Sequence, residues 1–441
     1  MATGWPEKGT APISLKSYRR LGRSLIAIVL AMHVSFLWSI RARVARGDPD
    51  FTVYFTAAKM LREGRRAQLY DVRAQQQVQR EFTTNSDIRR GPLPYIHLPF
   101  EALLFLPLTF LSYPTAFVLW NVFNLVMLVC VIVLLRGSLV SLRKVPLLDC
   151  VLASLAFFPI LGNFHQGQDG ILLLLDLVLG FRALERDADF AAGCWLGLGI
   201  FKFQFLIPVA LVLALWRGKK LAFGFTIVAS AALALSIALV GWHGAMPYPA
   251  FAWRVVSQVP LGGLPFRLMP NLMGLINGWP ILEGVGWPLR MLALAGSAVL
   301  LCLVAGMKVA ARDRGFFNLC LACAVIAAVT VSSNTNTYDL SVLILPIALC
   351  VDYGLRAPDP ERTLKAVLLP ALPVLISPLW FFLWLRWART NLMAICLVWW
   401  IYAIWREIQR LRVNRNSGEL ISSSSNIPSS SPSNPQPEAI T

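Results

Sequence analysis

Long apolar runs separated by short basic clusters dominate the chain. A bilayer-crossing helix needs about 20 mostly apolar residues. The first such run is Ser24–Ile40. It follows Lys16, Arg19, Arg20 and Arg23, precedes Arg41, Arg43 and Arg46, and has no small-residue cleavage site. These features predict an uncleaved first span. Further spans are expected at 114–135, 146–161, 170–182, 190–201, 203–216, 221–241, 289–310, 316–332, 339–353, 366–382 and 391–405. The run 98–111 is short and carries Pro99 and Pro107, so it reads as a surface or re-entrant helix. The pattern predicts an all-α polytopic membrane protein of about 12 spans, within a range of about 11 to 13. The short runs 170–182, 190–201 and 203–216 suit tilted or broken helices lining a cavity.

Between the first span and the bundle lies a polar stretch. Within it Phe51, Tyr54, Phe55, Ala58 and Leu61 recur at helical spacing, which predicts an amphipathic helix on the membrane surface. Gly64 should end it, and Asp71 should cap a second helix over Val72–Phe82. The expected organisation is a cytoplasmic N-terminus (1–23), a first transmembrane helix (24–40), a long extracytoplasmic loop (41–97), a helical bundle (98–405) and a cytoplasmic tail (406–441). The tail is basic at first. After Asn416 it is rich in Ser, Pro and Asn and is expected to be disordered.

Composition fits this picture. The chain has 441 residues, 57% of them hydrophobic and 14% charged, with 40 Lys plus Arg against 23 Asp plus Glu, a net charge of +17. Such a charge on a soluble protein would suggest nucleic acid as a partner. Here the basic residues sit in alternate loops: Arg136/Arg143/Lys144, Arg182/Arg186, Arg217/Lys219/Lys220, Arg312/Arg314, Arg356/Arg362/Lys365 and Arg406 to Arg415. The positive-inside rule places that set in the cytoplasm and excludes nucleic acid as the expected partner. The 8 cysteines lie in or beside apolar runs. Cys320 and Cys323 form a C-x-x-C without a second Cys/His pair nearby, so packing is the simpler reading.

The residues able to do chemistry fall mostly on the opposite, extracytoplasmic side. Asp48 and Asp50 open the first loop, and Tyr95 and His97 close it. His165, Gln166, Gln168 and Asp169 form one outer turn, Lys202 and Gln204 another, His243 a third, and Asn334, Asn336, Tyr338 and Asp339 a fourth. Each has a plain structural alternative. Asp50 suits a helix cap, the His165–Asp169 turn a polar hairpin, Lys202 a snorkelling side chain, and Tyr338-Asp339 an interface anchor with a cap. Against these stands the cost of charge at membrane depth, which makes Lys202 a functional candidate. A carboxylate, a lysine, imidazoles and amides in one outer cavity suit group transfer from an anionic lipid carrier. The carboxylate takes the acceptor proton, and the cationic groups stabilise the leaving phosphate. No Walker loop, dinucleotide-binding fingerprint or nucleophile elbow is present. No residue set has metal-ligand spacing, so neither a metal nor another cofactor is expected.

Several segments carry a resemblance. They are Asp50-Phe-Thr-Val-Tyr54, Ala57-Ala58, Gly64, Leu69-Tyr70-Asp71, Tyr95-Ile-His-Leu-Pro99-Phe100 and Pro107-Leu108. Gly167-Gln168, Ala192-Gly193, Gly197-Leu198 and Lys202 continue it. In this order they resemble glycosyltransferase family 87 over roughly residues 48 to 350. The chain departs from the family pattern at His97-Leu98-Pro99, where a double proline is common, and at Lys202-Phe203-Gln204, where Lys-Pro or Lys-Thr is common. The resemblance implies the C-type glycosyltransferase fold and a polyprenyl-phosphate sugar, mannose-like, used at the outer face of the cell membrane. It implies Asp50 as catalytic base. Lys202, His165, Gln168 and His97 are then expected to bind donor phosphate or sugar, with Tyr338 and Asp339 at the sugar. The acceptor would be a lipid or glycan. A lipid or sugar transporter and a non-catalytic subunit of an envelope assembly are the competing readings. The former should show inverted repeats, which the sequence lacks.

Overall fold

The structure is a computed structural model; it describes residues 15–83, 93–257, 264–279, 281, 285–307 and 314–424. The extreme N-terminus, Arg312 and the tail from residue 425 lie outside the described residues. All regular structure among the described residues is helical. Among the described residues, seven helical stretches are by length and composition apolar enough to cross a membrane, and nine if each of two bent pairs is one span, against the expected count of about twelve.

The principal helices are α1 (Leu15–Ser39), α2 (Phe51–Arg62), α3 (Val72–Phe82), α4 (Tyr113–Ser138), α5 (Leu147–Leu155), α6 (Phe158–Gln166) and α7 (Gly170–Glu185). They continue as α8 (Asp189–Leu198), α9 (Phe203–Arg217), α10 (Lys219–Ala245), α11 (Trp287–Ala305), α12 (Arg314–Val331), α13 (Ile344–Arg356) and α14 (Met393–Ser424). The run expected at 146–161 is the bent pair α5–α6, broken by 69°. Pro159 opens α6, where its missing N–H costs no helical hydrogen bond. The segment Pro99–Phe110 is helical, apolar and too short to cross, in line with a re-entrant reading. Helix α14 runs past Asn416 to Ser424, whereas disorder was expected there; the first proline of the tail is Pro428.

Two departures matter for function. The stretch Asp189–Arg217 has the composition of one 29-residue span. A straight helix of that length would hold its ends about 43 Å apart. Instead Arg217 pairs with Asp187 and Asp189, both at 2.7 Å. Helices α8 and α9 therefore fold back on one another, with the tight turn Gly199–Lys202 at the apex. Helix α8 then packs parallel to α10 at glycine contacts. A Cβ on Gly193 would stand 2.1 Å from the Leu221 carbonyl oxygen, and one on Gly224 2.2 Å from that of Phe190. Small residues allow this backbone approach between membrane helices.

The second departure is α2. Its amphipathic pattern predicts a helix on the lipid surface, yet every residue from Phe51 to Ala58 is buried in protein. Its polar positions do not need water. The Thr52 hydroxyl donates to the Gly47 carbonyl and the Thr56 hydroxyl to that of Thr52. Helix α3 follows as expected, with the Asp71 carboxylate accepting from the Arg73 and Ala74 amides.

Basic residues collect at one end of the bundle. Arg23 pairs with Asp149, Arg182 donates to Leu134 O, Trp216 donates to Ala305 O, and Asp352 accepts from the Ser141 amide. These contacts pair the starts of α1 and α5, the ends of α7 and α4, the ends of α9 and α11, and the segment after α4 with the end of α13. The polar turns that precede α2, α7 and α13 lie at the other end of those helices, and the α8–α9 apex points toward them.

Candidate active site

Asp50 occupies the N-cap position of α2 but makes no capping hydrogen bond. Its Oδ2 instead accepts from Gln168 Nε2 at 2.8 Å, and its backbone N–H donates to Gln166 Oε1 at 3.1 Å. The other end of the Gln168 amide accepts from the Tyr54 hydroxyl at 2.8 Å. Tyr54 lies one helical turn after Asp50, so a single amide spans both side chains on one face of α2. A carboxylate on one side and a hydroxyl on the other settle the amide's orientation.

The turn that carries Gln168 is itself fixed. Gly167 ends α6 with φ +61°, a left-handed conformation that glycine adopts without strain. A Cβ there would also stand 2.8 Å from Phe51 Cβ. Trp120 and Asn124 of α4 donate to the Gly167 and Gln168 carbonyls.

Asp169, next in the chain, faces Lys202. The Lys202 ammonium lies 2.6 Å from Asp339 Oδ1 and 2.9 Å from Asp169 Oδ1. All three side chains are buried, so Lys202 does not snorkel to water. Its ammonium also stands 5.5 Å above the centre of the Tyr338 ring. Asp339 has a second task, since its Oδ2 accepts from the Asn336 amide in a capping box. Tyr338 is held by Asn336 at its hydroxyl and by Asn163 at its carbonyl.

His97 stands beside this group, its ring 5.1 Å from that of Tyr54 and 5.5 Å from that of Tyr95. Burial pushes its imidazole down to about 4, so it is neutral near pH 7. Glu101, four residues further along, and Asp169, from the turn before α7, approach it.

The structure thus brings together Asp50, Gln168, Lys202, Tyr338, Asp339 and His97. His165 packs its ring against that of Phe36 of α1 at 5.2 Å, and its Nδ1 lies 3.2 Å from Gln166, whose Oε1 accepts from the Asp50 amide. His243 is exposed in the last turn of α10. Cys320 and Cys323 are buried packing residues of α12. Sequence reasoning missed Tyr54 and Glu101. Both stood four residues from a chosen residue, Asp50 and His97, at the spacing that aligns side chains on a helix.

Apolar helices around one cluster of buried acids, a lysine and an imidazole define a polytopic membrane protein with a polar site at one end. The sequence profile of glycosyltransferase family 87 matches residues 95–333 of the 441. The chain belongs to that family and is a membrane glycosyltransferase. His97, Glu101, Gln168, Asp169 and Lys202 lie inside the matched region; Asp50, Tyr338 and Asp339 lie outside it. No curated protein and no solved structure matches the chain.

Proposed function

We propose that this glycosyltransferase moves a mannose-like hexose from a polyprenyl-phosphate donor to a lipid or glycan acceptor. Asp50 is the general base. The acceptor hydroxyl gives its proton to Asp50 as its oxygen attacks the anomeric carbon. The bond from that carbon to the phosphate oxygen breaks, and polyprenyl phosphate leaves with the electron pair. One displacement inverts the anomeric centre.

The observation that carries this reading is the Asp50 carboxylate. It stands at a helix start without capping it, and an amide fixed by Tyr54 orients it. Lys202 is shared between two carboxylates. That favours a role in presenting Asp169 and Asp339 to sugar hydroxyls, with Tyr338 as the adjoining ring, over direct capture of phosphate. Gln168 and His97 adjoin the same cluster, Gln168 through Asp50 and His97 through Tyr54. His165 contributes through Gln166, at the side facing α1. The basic residues at the far end favour a cytoplasmic location for that end and an extracytoplasmic site in the cell membrane.

The test is transfer by the purified protein in lipid nanodiscs, with polyprenyl-phosphate hexoses and a membrane-lipid extract read by mass spectrometry. Asp50→Asn should lower the rate by about 10²–10⁴-fold while the protein stays folded, the range for losing a general base. Undiminished transfer by that variant would remove Asp50 from the role.

A further inference from the structure

We infer that His97, Glu101 and Asp169 form a binding site for a hard divalent cation of the Mg2+ or Mn2+ class. The first observation is geometric. One nitrogen and two carboxylate oxygens from these residues lie within 4.8 Å of one another. His97 Nδ1 is 2.9 Å from Glu101 Oε2. Neighbouring ligands of an octahedral ion with bonds of 2.0–2.2 Å stand about 3 Å apart, so that edge already has the required length.

The second observation is independent of the clustering. Glu101 is 3% exposed and Asp169 0%, and none of their four carboxylate oxygens has an aligned hydrogen-bond donor among the described residues. The His97 contact is short but misdirected for a hydrogen bond to Glu101. Lys202 lies near Asp169 Oδ1, yet its aligned hydrogen bond runs to Asp339. Without a metal the two carboxyls can satisfy one another only by sharing a proton across their mutual contact; a divalent cation replaces that proton and satisfies several converging lone pairs at once. Charge argues the same way. Four carboxyl groups, on Asp50, Glu101, Asp169 and Asp339, face the single lysine of the site. A divalent ion would neutralise Glu101 and Asp169.

The donor set selects the class. Two carboxylates with one imidazole suit Mn2+ and, less well, Mg2+, while a closed zinc site would need a fourth soft or imidazole ligand. Three protein ligands leave about three octahedral positions for water or phosphate oxygens. The His97 ring is set between Tyr54 and Tyr95, and Tyr70 holds its carbonyl, so the nitrogen is aimed before any ion arrives. That the open positions face a donor phosphate rests on the proposed polyprenyl-phosphate chemistry; binding of the ion does not.

The experiment measures binding directly. Chelator-stripped protein in nanodiscs is titrated with Mn2+, and free Mn2+ is followed by electron paramagnetic resonance. One saturable site per chain is expected. Glu101→Gln and His97→Gln should each weaken it about 10-fold or more, whereas Asp176→Asn, a buried acid elsewhere in α7, should leave it intact. Either ligand variant suffices if the other fails to fold. Absence of a saturable site, or affinity unchanged in a folded ligand variant, would overturn the inference. Failure of excess Mg2+ to displace Mn2+ would overturn the class, since tighter Zn2+ binding is expected of any such donor set. Normal Mn2+ binding without transfer from any polyprenyl-phosphate sugar would count against the proposed donor and leave the cation site standing.

Discussion

Replacing Lys202 by methionine removes the positive charge between Asp169 and Asp339 while keeping a side chain of similar length. The contacts are 2.6 and 2.9 Å. Coulomb's law at an effective dielectric constant of about 20 assigns roughly 6 kcal/mol to each. Desolvation of three buried charges offsets most of that gross attraction. What the variant loses in chelator-stripped protein is larger than the net value of the contacts, because two carboxylates then stay buried without a counter-charge. Breaking buried pairs from one side costs about 3–5 kcal/mol. For a chain of this length about 1–2 °C per kcal/mol is expected, so the melting temperature in nanodiscs should fall by about 3–10 °C. Tryptophan fluorescence serves as the readout. The triple variant Lys202→Met/Asp169→Asn/Asp339→Asn should recover at least half of the loss, since no unpaired charge remains among the three. If Lys202→Met melts with the parent, or the added Asn substitutions destabilise it further, the three-charge account of this site is wrong.

Gln168→Leu deprives Asp50 of its orienting amide and leaves the Tyr54 hydroxyl unpaired. The turnover rate should fall about 10²-fold with little change in KM, and Tyr54→Phe should cost less than about 10-fold. Equal rates for Gln168→Leu and parent would dissociate the amide from Asp50. Gly193→Val puts a side chain against the Leu221 carbonyl, which cannot move without shifting α10. A loss of about 1–3 kcal/mol or more is expected in thermal melting, whereas Gly296→Ala, mid-helix with nothing within 4 Å, should not destabilise the protein.

Much of the scaffold was legible in the chain. The apolar runs at 24–40, 114–135 and 221–241 became α1, α4 and α10, because a backbone in lipid has few alternatives to helix. Asp71 and Gly64 marked helix boundaries because capping and left-handed turns depend on neighbouring residues alone. The surface placement of α2 failed because amphipathic spacing says which face is apolar, not whether lipid or protein covers the rest. The α8–α9 hairpin was read as two short runs, but what closes it is Arg217 meeting Asp187 and Asp189, a contact no local pattern predicts.

The site divides along the same line. The cost of burying charge was enough to single out Lys202, whereas Asp50 stood out by its position and by the family resemblance, and Asp339 by its place beside Tyr338 in a polar turn. Their pairings were not legible, since Asp50 meets Gln168 across 118 residues and Lys202 meets Asp339 across 137. Glu101 remained hidden as one acid in an apolar run until the fold set it beside His97 and Asp169. The sequence by itself determined where helices form, which runs are apolar and where positive charge gathers, because these follow from hydration and short-range backbone geometry. The tertiary structure alone decided which buried charges face one another, because that depends on how distant helices pack.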